Sequence, residues 1–345
     1  MELLTQRIVA LGLSGTRQQG DGIDFGDPAG ESARAVDGTV VIPLLHLSYL
    51  RASGPDADAF LQGQLSNDLR QLSTTQAQLS SYSTPKGRVL ALFTLLRLAD
   101  ASVLMETQAS VAAETLKRLR SFVLRSKLRV DDAGDDALAL GIAGPDAPQL
   151  LAGAGLPEPS AAWDTLTTGD ILVVRRPGVG HRFSVHGPAT ALAARWQAWS
   201  TSATPAGTAT WRLLDILSGM PSVHAQTREQ FVPQMLNLDV IGGISFTKGC
   251  YPGQEIVARL HYLGTAKRRM VRARITGPDV PAPGTPIIVA GGDGQAVGEV
   301  VDAAIHPQGG VVMLAVLQTA QMDSAALQLG AAETARPLTA IETLV

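Results

Sequence analysis

Cysteine is nearly absent from this 345-residue chain, with Cys250 as its single representative. A lone thiol cannot close an internal disulfide, so no disulfide framework is built, and the usage fits a reducing compartment such as the cytoplasm. Neither sign of charge dominates: 28 Lys and Arg stand against 31 Asp and Glu, a formal net charge of -3. That balance excludes the global basic footprint of a nucleic-acid binder and leaves only local patches to consider. Long apolar runs are missing too. The longest, residues 89–96, is interrupted by Thr94 and closed by Arg97, far short of the ~20 residues a membrane-spanning helix needs. The opening residues, with Glu2 and a short apolar stretch at 8–13, lack the pattern of a secretory leader. The six histidines have no metal-ligand spacing, and no nucleophile elbow or phosphate-binding loop occurs. Gly178-Val179-Gly180 stands without the rest of a dinucleotide fingerprint.

What is present is an ordinary globular composition, 45% hydrophobic, in a chain long enough for two or three domains at ~150 residues each. Three segments repeat one pattern, an alternating apolar run, a Gly-Pro pair and an Ala/Leu-rich stretch. They are residues 49–61 around Gly54-Pro55, 140–151 around Gly144-Pro145, and 183–194 around Gly187-Pro188. Proline suits the first turn of a helix and glycine the sharp exit from a strand, so each reads as a strand-to-helix unit. Short turns between such units predict an α+β core with helices on one face of its sheets. A strand is expected over 89–98 and a helix over 109–124. Arg125, Lys127 and Arg129 alternate with Ser126, Leu128 and Val130, which in a strand puts three cations on one face, either for an anion or to protect a sheet edge. From Lys267 onward the texture changes to short Val/Ile-rich runs at 270–275, 286–290, 296–305 and 310–317, the pattern of a small β-barrel. The boundary falls at Gly264, dividing the chain into a core, 1–264, and a barrel domain, 265–345.

The densest local signal is residues 242–255, running from Gly242-Gly243 to Lys248-Gly249-Cys250-Tyr251-Pro252-Gly253-Gln254-Glu255, followed by a helix-like stretch at 256–262. Cys250 therefore stands just before a helix start. Free main-chain N–H groups there and the nearby Lys248 ammonium both favour thiolate over thiol, which suits a nucleophile or a soft-metal ligand. The competing reading is a small buried hydrophobe, the usual fate of a free cysteine.

This octapeptide resembles the Lys-Gly-Cys-Tyr-x-Gly-Gln-Glu signature of the YgfZ family, folate-binding proteins related to the aminomethyltransferase (T-protein) of the glycine cleavage system. The resemblance extends to Phe60-Leu61-Gln62-Gly63-Gln64-Leu65-Ser66-Asn67-Asp68, Pro85-Lys86-Gly87-Arg88, Leu124-Arg125-Ser126-Lys127, residues 231–238 and residues 259–268, most of the chain. It implies a T-protein-like folate-binding fold of two interleaved α+β subdomains and a C-terminal β-barrel, arranged as a ring around a central cavity. It also implies bound tetrahydrofolate or a related reduced folate, and a cytoplasmic role in iron-sulfur cluster assembly or repair. Through that role it implies support of 4Fe–4S enzymes, tRNA-modifying ones included, notably under oxidative stress.

Carried over residue by residue, Cys250 is the functional thiol with Lys248 acting beside it, and Lys248, Tyr251, Gly253, Gln254 and Glu255 shape the loop that holds the thiol. Asn67 and Asp68 either line the central cavity or cap the helix end before Leu69. Arg125 and Lys127 meet the folate glutamate tail or an acidic partner surface. Two departures stand out. Where the transferases carry an acidic pair that supplies the catalytic aspartate, this chain has Ala91-Leu92, and where they carry a pterin-binding glutamate it has Leu217. Asp215, Gln234 or Asn237 are substitute acceptors for the pterin, unless Asp215 is an exposed helix residue and the two amides cap the backbone.

Three functions follow for comparison. The leading one is a non-transferase accessory protein for iron-sulfur enzymes, with assembly factors and 4Fe–4S client enzymes as partners and no direct nucleic-acid or membrane contact. The second is a folate-dependent aminomethyl transferase on the same fold, using Asp68 or Glu255 as its acid. The third is a cofactor-free interaction module in which Cys250 is structural. No metal is expected to reside permanently, because one cysteine cannot supply the four thiolates of a stable cluster.

Overall fold

The computed structural model describes residues 2–20, 22–322, 326–330 and 335–344. Its first half is a five-stranded sheet in the order Gln78–Ser83, Val89–Arg97, Val103–Gln108, Leu47–Ser53 and Arg129–Asp132, with every neighbour antiparallel. The strand Val89–Arg97 is buried on both faces, which accounts for its nearly unbroken apolar run. Ala91, Phe93 and Leu95 pack with the helices Ala57–Gln62 and Ala109–Ser121 in one cluster, while Leu92 and Leu96 point to the other side.

A six-stranded sheet forms the second half, in the order Thr165–Thr168, Ile171–Arg175, Arg182–Gly187, Leu138–Ala143, Val40–Pro43 and Thr204–Pro205. Val40–Pro43 comes from the start of the chain and is inserted between strands that follow residue 138, so the two α+β halves are interleaved. The sheets share a core in which Leu47, Tyr49 and Leu104 of the first meet Ile42, Ala139 and Val174 of the second. The three strand-to-helix units form as expected. Gly54 and Gly144 take φ values of 115° and 123° at the strand exits, and the helices Ala57–Gln62, Ala147–Gly153 and Ala189–Trp199 follow.

The C-terminal body is a closed barrel whose strands run in the order Arg268–Ile275, Val311–Gln318, Ala296–Ile305, Pro286–Val289, Leu327–Leu329 and Arg336–Thr343. The last two carry less apolar patterning and were not legible in the sequence. One expectation is overturned: the alternating stretch 125–130 is not a strand. Only Arg129–Asp132 pairs, while Arg125 and Lys127 lie exposed in the preceding irregular turn. Asp56 holds that turn, since its carboxylate accepts from the Lys127 main-chain amide at 2.6 Å.

Candidate functional site

The loop carrying Cys250 is fastened from beneath. Gly253 opens the helix Gln254–Leu263 with φ 84°, and a Cβ there would lie 2.6 Å from the Cα of Gly87 and 2.7 Å from the Thr84 carbonyl oxygen. Only glycine allows that approach. It seats the cysteine loop on the Pro85-Lys86-Gly87-Arg88 turn. Lys248 is the second fastening. Its Nζ donates to the carbonyl oxygens of Gln62 and Leu65, each at 2.6 Å, and of Asn67 at 3.0 Å. Gln62 is the last residue of a helix, whose final carbonyls have no partner inside the helix, so the ammonium completes what the helix leaves open. Burial lowers the Lys248 pKa to about 8, with the nearby Asp68 carboxylate opposing the drop. The Tyr251 ring lies 5.1 Å from Nζ, and burial pushes its phenol up to about 12. Gln254 closes the loop through a 3.4 Å bond to the Lys248 carbonyl, and Glu255 is exposed in the first helical turn.

Two corrections follow. Cys250 is exposed, so the buried-hydrophobe reading fails. Lys248, placed with the thiol by sequence proximity, has all three protons directed at main-chain carbonyls and serves as the clamp beneath the loop.

The segment 60–68 is the other jaw of this clamp. Ser66 Oγ donates to the Gly243 carbonyl and Asn67 Nδ2 to the Gly242 carbonyl, both at 2.7 Å. Asn67 Nδ2 also reaches the Leu79 carbonyl at 2.9 Å, and its Oδ1 accepts from the Asp68 amide at 2.9 Å. Asp68 accepts from the Arg70 amide at 3.2 Å, from Arg70 Nε at 2.8 Å and from Gln62 Nε2 at 3.0 Å. The hydrogen bond from the Arg70 side chain holds this carboxyl well below the usual range. Of the two readings offered for Asn67 and Asp68, tying and capping is the one observed. Gln234 and Asn237 also bond to backbone: Gln234 Nε2 to the Val257 carbonyl at 2.7 Å, Asn237 Nδ2 to the Met270 carbonyl at 2.8 Å. Asn237, left-handed at φ 56°, thereby joins the core to the first barrel strand.

A separate cleft lies between the two sheets and the segment 220–223. Its walls include Leu92, Thr94, Glu106, Trp163, Arg176 and Trp211, together with Thr107, Gln108 and Asp215. Arg176 is its hub, reaching Glu106 Oε1 through one terminal nitrogen, Thr94 Oγ1 at 3.1 Å through the other and Ser184 Oγ at 2.8 Å through Nε. The Tyr49 hydroxyl donates to Glu106 Oε2 at 3.2 Å. Burial alone would raise the Glu106 pKa, but the Arg176 guanidinium outweighs it and holds the carboxyl below its ordinary value. Burial drops His186, beside Ser184 Oγ at 2.8 Å, to about 4, so its imidazole is neutral. On the far wall Arg182 donates to Asp215 Oδ1 at 2.7 Å, yet burial leaves the Asp215 pKa raised.

Comparison with known proteins places this geometry. The GCVT N-terminal domain family matches residues 27–244. The tRNA-modifying protein YgfZ of Edwardsiella ictaluri is 34% identical over 274 residues, 78% of this chain and 82% of that protein. The chain belongs to the YgfZ family. The YgfZ protein of Cronobacter sakazakii is similar at 30% identity over 275 residues, covering 80% of this chain and 83% of its own. The crystal structure of the glycine cleavage system aminomethyltransferase T from Bartonella henselae superposes with a TM-score of 0.72 at 19% identity, covering 89% of this chain and 85% of that one, which establishes the shared fold.

The fold family implies a reduced folate, and the cleft of this YgfZ-family chain can be tested for it. Gln108 Oε1 and Thr107 Oγ1 are buried on its wall without hydrogen-bond partners, and the Asp215 carboxylate faces it, half-buried. A pterin edge is rich in N–H donors and needs such acceptors, and Trp163 and Trp211 are among the residues that line the cleft. These acceptors therefore complement the N–H donors of a pterin edge. Of the five side chains Asn67, Asp68, Asp215, Gln234 and Asn237 proposed from sequence for the cavity or the pterin, Asp215 alone is on the cleft wall; the other four bond within the scaffold. Sequence reading missed Glu106, Arg176, Gln108 and Thr107. A signal for the first existed: in the strand Val103–Gln108, Glu106 follows Leu104 by two and shares its inward face. Among the described residues no group of three or more His, Cys, Asp or Glu side chains could hold a metal ion. No helix among them is long and apolar enough to cross a membrane.

Proposed function

We propose that this chain is a cytoplasmic accessory protein for iron-sulfur enzymes. It works with assembly factors and 4Fe–4S clients, tRNA-modifying enzymes among them, through Cys250. The observation that carries the reading is the exposed thiol on a loop whose neighbours are each anchored: Lys248 on three carbonyls, Tyr251 buried, Gly253 against the Gly87 backbone. A thiol so held meets a protein-borne cluster, persulfide or target sulfur at a fixed position, without the loop having to order on contact. Relatives that carry the name tRNA-modifying protein support the client class.

A reduced folate belongs in the cleft in this reading, where Asp215, Gln108 and Thr107 would accept from its pterin edge; when bound, it supplies a carrier for one-carbon units. Glu106 is saturated by Arg176 and Tyr49 and braces the wall. The transferase alternative lacks its acid. Ala91 and Leu92 are buried apolar residues, Asp68 is engaged by Arg70, and Glu255 is exposed on the helix away from the cleft walls. The carboxylates on the cleft wall, Glu106 and Asp215, are each engaged by an arginine, Arg176 and Arg182, which disfavours either as the acid of an aminomethyl transfer.

The test is complementation. In cells lacking this gene and placed under oxidative stress, aconitase-type activity and the tRNA modifications made by 4Fe–4S enzymes are measured with wild type or Cys250→Ala restored. Rescue by wild type and failure of a folded Cys250→Ala is the expected result. Equal rescue by both removes the thiol from the function.

A further inference from the structure

The helix Gln254–Leu263 leaves its outer face uncovered. Ile256 is 42% exposed, Tyr262 64% and Leu263 84%. Ile256, Arg259 and Leu263 are spaced by three and four residues and so share one face. Beside them Phe246 stacks on His261 with ring centroids 3.7 Å apart and 12° between planes, and Tyr262 meets His261 edge-on at 4.7 Å. The exposed Cys250 lies at the N-terminal end of the same helix.

Charge around this face is one-sided. Lys86 is next to Gly87, against which Ile256 packs, Arg259 is on the face itself, and Lys267 follows the helix end; all three are exposed. None of them pairs with a carboxylate among the described residues, whereas nearby Arg269 is neutralised by Asp239 at 2.6 Å. Glu255 is the one exposed acid on the helix. We infer that this face docks an acidic protein partner, one presenting an apolar contact ringed by carboxylates, and that docking there brings the partner's reacting group to Cys250. Tyrosine and arginine are enriched among the anchors of protein interfaces, and the apolar side chains around them serve to exclude water. A nucleic acid would find rings to stack on at His261 and Tyr262 but three cations in place of a continuous basic track, on a chain of net charge -3. The inference rests on the reading of Cys250 as the working thiol for its purpose, though the docking itself does not need the sulfur.

Fluorescence anisotropy with the full-length chain tests it, using three labelled probes of equal net negative charge. One is an amphipathic peptide with Glu and Leu on opposite helix faces, one has every Leu replaced by Ser, and one is a single-stranded oligouridine. The Glu/Leu peptide is expected to bind at least about tenfold tighter than either control and to weaken with salt. Arg259→Glu with Lys267→Glu, and separately Tyr262→Ser with Leu263→Ser, should each weaken it by about tenfold or more. These are exposed positions, and unchanged thermal unfolding certifies each variant. Val179→Ser, at a fully exposed site outside the patch, and Cys250→Ala should bind as wild type does. Tighter binding of oligouridine, absence of peptide binding, or binding indifferent to both double variants overturns the proposal. Since Cys250→Ala retains binding on this account, a failed complementation test and a failed docking test are separate results.

Discussion

Lys248→Met is the substitution that most directly tests how the cysteine loop is held. Methionine keeps much of the length and apolar stem but removes the ammonium, leaving the carbonyls of Gln62, Leu65 and Asn67 without this donor. Hydrogen bonds from a charged donor contribute roughly 1.5–3 kcal/mol each, and three at the low end of that range are a gross loss of about 5 kcal/mol. Relief of the desolvation that lowers the lysine pKa to about 8 offsets part of it, leaving a net destabilisation of about 2 kcal/mol. In urea titrations the midpoint should fall at unchanged slope. Hydrogen exchange at amides 249–257 should quicken well beyond that at the barrel strands, because the loss is local. The pH dependence has a definite sign. Between about 8 and the ordinary lysine value of 10.5, the unfolded chain holds a proton that the folded chain has released. Wild-type stability relative to Lys248→Met must therefore rise with pH across that window and stay flat below it. A variant with the wild-type midpoint and unchanged exchange at 249–257 would refute the clamp.

Asp302 of the barrel accepts from Ser222 Oγ at 2.8 Å and lies 3.1 Å from His224 Nε2, bonds that overcome burial and bring its pKa to about 2. Its contribution, about 2 kcal/mol by linkage, is present above pH 4 and lost as pH falls toward 2, so Asp302→Asn should narrow the stability gap to wild type in acid, as read by urea midpoints at stepped pH. Glu106→Ala leaves the Arg176 guanidinium buried without its carboxylate and should cost about 3–5 kcal/mol in thermal or urea unfolding. A loss under 1 kcal/mol would mean that the pair is open to water.

Legibility in the sequence followed the range of the interactions. The strand-to-helix units, the apolar strand Val89–Arg97 and four barrel strands were readable because periodicity and turn chemistry are local. The strands Leu327–Leu329 and Arg336–Thr343 were not, since their partners in the barrel stabilise them more than their own pattern does. The run 125–130 misled because alternation of charge and apolar residues is equally at home in an exposed turn, which here is held by Asp56.

The cysteine loop shows the same division. Composition and motif were enough to single out Cys250, to place it before a helix, and to exclude a disulfide, a metal cluster built from this chain's cysteines and a membrane-spanning run. They could not say what Lys248 does, because its three acceptors lie more than 180 residues away in sequence. Nor could they assemble the cleft. Glu106 and Arg176 stand 70 residues apart, and each on its own is one charge in an apolar strand or at its end. Burying them together is favourable only when two sheets from different parts of the chain bring carboxylate and guanidinium into hydrogen-bonding range, and that geometry belongs to the tertiary structure alone.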